Sequence, residues 1–169
     1  MKDRVREAVF NLVGPSIRGK HAVDLFAGTG AVGLEALSRG AARATFIEQH
    51  YPTAAILRQN VAALGADELC HVVTANTFLW ARRQADLGPS PWAVFCCPPY
   101  DFYEDRLDEM LALVGDLVES APGGSLFAVE ADERFDFGLL PRAEAWDVRR
   151  YPPAVVGIYH KTSNHGLHG

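Results

Sequence analysis

Cysteine is scarce in this 169-residue sequence: three thiols, Cys70, Cys96 and Cys97, two of them adjacent. That odd, clustered set cannot build a disulfide framework and fits a reducing compartment. No CxxC pair and no HExxH occurs, and the six histidines are scattered apart from His165 and His168 in the tail, so no metal centre is expected. No apolar run approaches the roughly 18 to 20 residues of a membrane helix. The opening MKDRVREAVF lacks the apolar core of a secretory signal, and a cytoplasmic protein is expected. Positive charge is also short, with 16 basic residues against 21 acidic and a net charge of -5. Such a chain has no general attraction for a phosphate backbone and would need a local basic patch to hold nucleic acid.

Apolar residues, at 49%, suffice for one sizeable core. One domain over residues 1–161 is expected, with the polar, glycine-bearing 162–169 as a frayed tail. Asp3 to Val13 has the spacing of an amphipathic helix, with Val5, Val9, Leu12 and Val13 on one face. Beyond GPSIRGK, apolar runs alternate with helical stretches. The runs are His21 to Phe26, Ala44 to Ile47, Cys70 to Thr74, Trp92 to Cys96 and Ser125 to Val129; the helical stretches are Ala31 to Arg39, Tyr51 to Leu64, Thr77 to Arg83 and Tyr103 to Ser120. Ala85 to Pro91 reads as a flexible loop. Alternation of this kind predicts an α/β fold with a mostly parallel sheet covered on both faces. WDVRRY and AVVGIYH, separated by little more than Pro152 and Pro153, are too close for a helical crossover and must pair antiparallel. A seven-stranded, Rossmann-like sheet closed by an antiparallel hairpin is the pattern of a class I methyltransferase rather than a dehydrogenase.

VDLFAGTGAVGLEAL sets Gly28, Gly30 and Gly33 between the first strand and its helix, where glycine permits a sharp turn and close approach to a ligand. Alone this is only a tight turn. Glu48 ends the second run twenty positions after Gly28, where an acid can accept hydrogen bonds from ribose hydroxyls. The order Asp24, Phe26, Gly28, Gly30 is DxFxGxG rather than GxGxxG, which favours S-adenosylmethionine over a dinucleotide. Asn76, after the third strand, can read an adenine edge or cap the helix that follows; both roles remain open.

The fourth strand delivers CPPY, Cys97 to Tyr100, at the crevice edge of the sheet. This resembles the [Asp/Asn/Ser]-Pro-Pro-aromatic motif of amino-directed methyltransferases. DRVREAVFN (Asp3 to Asn11), DLFAGTGAVGLEALSRGA (Asp24 to Ala41), FIE (Phe46 to Glu48) and LRQNVAALG (Leu57 to Gly65) extend the similarity. Together they resemble the bacterial small-subunit ribosomal RNA guanine-N2 methyltransferases, from Asp3 to about Lys161. The resemblance implies S-adenosylmethionine as cofactor, held by Asp24, Phe26, Gly28, Gly30, Glu48 and Asn76. It implies ribosomal RNA or the small ribosomal subunit as partner, contacted by Arg4 and Arg6, and a monomeric enzyme. Cys97 and the Pro98 carbonyl would orient the amine, and Tyr100 would stack on the base.

Two features depart from that family. The family normally carries a basic segment ahead of the DRVRE helix, whereas this sequence begins almost at that helix, and Cys97 stands where an acid or amide is usual. A thiol accepts hydrogen bonds weakly; losing a bond to a charged group costs about 1.5 to 3 kcal/mol, so a slowed enzyme is expected. Three other readings compete: a thiolate nucleophile at Cys97 of the kind that methylates pyrimidine C5, a cofactor-binding but silent protein docked on RNA or ribosomal subunits, and a dehydrogenase. A methyltransferase with another DNA or RNA base as target also remains open. Cys70, Trp80, Trp92 and Trp146 read as packing residues, and Arg82, Arg83, Arg149 and Arg150 as solvated charge.

Overall fold

The computed structural model describes residues 1–83 and 87–163. Helix α1 (Asp3–Val13) precedes β1 (His21–Asp24), α2 (Ala31–Ser38), β2 (Arg43–Glu48), α3 (Tyr51–Ala63) and β3 (Cys70–Thr74). Then come α4 (Thr77–Arg82), β4 (Trp92–Cys96), α5 (Phe102–Asp105), α6 (Leu107–Ser120), β5 (Leu126–Asp132), β6 (Asp147–Tyr151) and β7 (Ala154–His160). The seven strands form one sheet in the order β3-β2-β1-β4-β5-β7-β6. Neighbours among β1 to β5 are parallel, while β7 lies antiparallel to both β5 and β6. This is the expected sheet and closing hairpin.

Alternating side chains sort into two cores, as the pleat requires. Val23, Ile47, Val94, Phe127 and Val129 face the layer of α4 and α6, where Met110, Leu113 and Leu117 meet them. Ala22, Phe46, Phe95 and Leu126 face α1, α2 and α3 through Val9, Phe10, Ala36 and Leu57. Phe46 and Phe95 are fully buried, each stabilising the fold by about 1.5 to 3 kcal/mol. Helix α1 buries Val5, Val9, Phe10 and Val13, the face its spacing predicts apart from Leu12, which yields to Phe10.

Several boundaries differ from expectation. The stretch Tyr103 to Ser120 is interrupted at Arg106 (φ -136°, ψ 37°), which separates α5 from α6. Strand β5 continues past Val129 because β7 supplies antiparallel partners for Glu130, Ala131 and Asp132. Cys70 is half-buried rather than buried, since β3 is an edge strand. Ala85 and Asp86 of the proposed loop and 164–169 of the proposed tail lie outside the described residues. No described helix is long and apolar enough to cross a membrane.

A two-ended cavity at the carboxyl edge of the sheet

The ends of β1, β2, β4 and β5 border a cavity of about 490 Å³, within the range of small-molecule sites. Its first end is built by the glycine turn. Gly28 has φ 57°, a left-handed conformation that favours glycine, and its amide donates to Glu48 Oε1 at 3.0 Å. Glu48 Oε2 accepts from the His50 amide at 2.9 Å. The carboxylate is thus fixed by backbone on both sides, and each oxygen keeps a second lone pair for a ligand. Phe26 lines the same wall and packs edge-on against Phe78 and Phe102, with ring centroids 6.1 and 5.9 Å apart.

Asn76 caps α4: its Oδ1 accepts from the Leu79 amide at 3.1 Å. Its Nδ2 donates to Gln49 Oε1 at 3.3 Å, and both side chains border the cavity. The Thr77 hydroxyl donates to the Leu25 carbonyl and ties the start of α4 to the end of β1.

Asp24 and Gly30 stand behind the wall rather than on it. Asp24 is 1% exposed, and its Oδ2 accepts from the Gly33 amide at 3.1 Å, bracing the turn from inside. Burial drives its pKa up to about 7, against the lowering pull of that amide. Gly30 has φ 97°, and a Cβ there would collide with Leu57. The two residues thus shape the turn from behind, and Gly28 is the one of the three that lines the cavity.

The second end belongs to CPPY. Cys96 points into the core at 1% exposure, and Cys97 is half-buried and borders the cavity, the alternation a strand imposes. Burial pushes the Cys97 thiol well above its ordinary pKa, and the carboxylates of Glu130 and Asp24 push it further. Pro98 is buried, and the Tyr100 hydroxyl donates to Glu130 Oε2 at 3.1 Å. The Tyr103 hydroxyl donates to the Glu130 carbonyl at 2.7 Å. Arg134 clamps the segment after the motif to β5, reaching Asp101 at 2.9 Å, Glu104 at 2.6 Å and Asp132 at 2.9 Å.

Glu130, Gln49 and Arg106 border the cavity without having been singled out from the sequence. The signal for Glu130 was an apolar run ending directly in an acid, SLFAVE, just as TFIE ends in Glu48. Arg106 sits 5.4 and 5.1 Å from the ring centroids of Phe78 and Phe102. Of the two N-terminal arginines, Arg4 donates to the Pro152 carbonyl at 3.2 Å and borders a second depression, about 370 Å³, shared with Lys2, Tyr100 and Tyr151. Arg6 lines neither cavity and is paired with Asp3 at 2.9 Å. Trp92 and Trp146 are buried packing residues, with indole nitrogens donating to the carbonyls of Gly88 and Pro141.

The family described as Conserved hypothetical protein 95 matches residues 1–146, a span that holds both ends of this cavity. The chain belongs to that family. A relative from Bacillus subtilis (strain 168), YlbH, named for an rRNA methyltransferase, is 32% identical over 166 residues, covering 94% of this chain and 85% of YlbH. Ribosomal RNA small subunit methyltransferase D of Escherichia coli (strain K12) is 41% identical over 114 residues, or 68% of this chain. The match spans about half, 54%, of that relative. Among solved structures, yhhF from Escherichia coli, named for a methyltransferase, superposes with a TM-score of 0.78 at 31% identity, covering 97% of this chain and 88% of its own. An RNA methyltransferase from Salinibacter ruber, in complex with S-adenosyl-L-homocysteine, shares the fold: TM-score 0.68, 17% identity, 100% and 97% coverage. This member of the Conserved hypothetical protein 95 family thus has the class I methyltransferase architecture, α/β and Rossmann-like with antiparallel closing strands.

Proposed function

We propose that the chain is an S-adenosylmethionine-dependent methyltransferase that modifies the N2 amine of a guanine in small-subunit ribosomal RNA, acting as a cytoplasmic monomer. The observation that carries this reading is one cavity joining Gly28 and Glu48 to Cys97, Pro98 and Tyr100. The rRNA methyltransferase names of its relatives support it.

The residues at the first end fit the cofactor. Glu48 offers two fixed acceptors for a pair of ribose hydroxyls, Gly28 lets the backbone come close, and Gln49 and Asn76 offer amide groups to an adenine edge. Bound there, S-adenosylmethionine supplies a methyl group on a positively charged sulfonium. The rest of the work is alignment, which can lower a barrier substantially; as the N–CH3 bond forms the S–CH3 bond breaks, the sulfur departs as a neutral thioether, and the proton lost from the methylated amine goes to water. The Pro98 carbonyl and Cys97 thiol turn the amine lone pair toward the first end, and Tyr100, its hydroxyl held by Glu130, presents a ring to the base. Such stacking contributes about 1 to 3 kcal/mol.

The thiolate reading is disfavoured on physical grounds: burial and the carboxylates of Glu130 and Asp24 outweigh the Met1 amine at Cys97, and its pKa is raised. A silent binding protein is separated by turnover. With methyl-labelled S-adenosylmethionine and small-subunit RNA lacking modifications, either free or assembled, label is expected in N2-methylguanosine after digestion. Cofactor binding with no label in RNA, or label at a pyrimidine C5, would overturn the proposal.

A further inference from the structure

Glu130 is a carboxylate with 3% of its side chain exposed, facing a cavity. Its Oε2 is taken by the Tyr100 hydroxyl at 3.1 Å. Among the described residues Oε1 has no hydrogen bond; the Met1 amine lies 4.0 Å away. Beyond that long ion pair, Oε1 keeps lone pairs for a donor that enters the cavity. Cys97, Pro98 and Tyr100 line the same end of the cavity, and there Glu130 is the strong acceptor that the Cys97 thiol is not.

We infer that Glu130 selects the target base by accepting the N1–H of guanine at Oε1. This rests on the methyl-transfer reading above and adds the residue that sets its specificity. An extruded base is read along its Watson-Crick edge. On guanine that edge places the N1–H donor beside the N2 amine, so a carboxylate at N1 and the Pro98 carbonyl at N2 together hold the amine in place. On adenine the corresponding ring nitrogen is an acceptor, and a carboxylate repels it. The hydroxyl of Tyr100 fixes the direction of Oε1, so the same bond that seats the stacking ring aims the acceptor.

The test exchanges donor for acceptor on both sides. The substrate RNA is prepared with guanine or 2-aminopurine at the methylated position; 2-aminopurine keeps the 2-amine but has an acceptor at N1. The wild-type chain should prefer guanine in both kcat/KM and binding, the latter read from 2-aminopurine fluorescence and competition. In Glu130→Gln the amide oxygen keeps the Tyr100 bond and its NH2 turns to the base, so the ratio of guanine to 2-aminopurine kcat/KM should fall by about tenfold or more. A role confined to holding Tyr100 would lower both substrates together and leave that ratio unchanged, which would overturn the inference while guanine methylation stands. In the wild-type chain alone, RNA with inosine, which retains N1–H without the amine, should compete for binding better than RNA with 2-aminopurine, which keeps the amine but sets an acceptor against Oε1; competition no better than 2-aminopurine would also overturn it. If wild-type chain methylates neither base, the underlying function fails and this inference with it.

Discussion

Asp24 braces the glycine turn from within the fold, 1% exposed and bonded to the Gly33 amide. Its pKa of about 7 in the folded chain stands far above the ordinary 3.8, with burial as the main cause. Between those values the unfolded chain has released a proton that the folded chain retains, so folding stability falls as pH rises through that window. Asp24→Asn keeps an acceptor for the Gly33 amide and does not titrate. Its stability relative to wild type should therefore improve by about 2 to 3 kcal/mol from pH 5 to pH 8, read from urea midpoints; a pH-independent difference would contradict the account. Cys97, whose ionisation burial likewise suppresses, stands on the cavity itself. Cys97→Ser should leave methyl transfer within about tenfold of wild type, since only one weak hydrogen bond changes. Abolished turnover with intact cofactor binding would point back to a thiolate nucleophile.

The glycine turn depends on how α2 seats against β2. A Cβ on Gly33 would meet the Phe46 ring, including its Cζ at 2.8 Å, and Phe46 is fully buried with nowhere to retreat. Gly33→Ala should destabilise the fold by about 1 to 3 kcal/mol in chemical denaturation; an unchanged midpoint would mean the helix can shift at no cost. The sheet was legible in the sequence because each central strand is a buried apolar run and each crossover has helical spacing. The first end of the cavity was legible for a related reason: Gly28 and Glu48 keep a spacing set by one helix and the strand that follows it, and a 3.0 Å bond joins them. Glu130 was missed because hydrophobicity ends at Val129, whereas pairing with β7 carries β5 three residues further. A long-range strand partner leaves no local mark. The break at Arg106 was hidden similarly, since its guanidinium is drawn over the Phe78 and Phe102 rings by contacts distant in sequence as well as near.

At the scale of the whole molecule, the proposed function on a chain of net charge -5 requires local basic residues to attract RNA, and Lys2 and Arg4 at the second depression are the ones it calls on. Single-stranded RNA releases about 0.7 counterions per phosphate contacted. The plot of log affinity against log salt should then have a shallow slope, about 1 to 3 in magnitude, and Arg4→Ala should reduce it by about 0.7. A slope that Arg4→Ala leaves unchanged would place the RNA on another face. The central claim is that one cavity has a cofactor end at Glu48 and a base end at Tyr100. Calorimetric titration with S-adenosylmethionine of wild type, Glu48→Gln and Tyr100→Ala tests it most directly. The account predicts affinity weakened by about tenfold to 150-fold in Glu48→Gln, from loss of a hydrogen bond to a charged group, and nearly unchanged in Tyr100→Ala. Wild-type affinity in Glu48→Gln, or a loss confined to Tyr100→Ala, would contradict it.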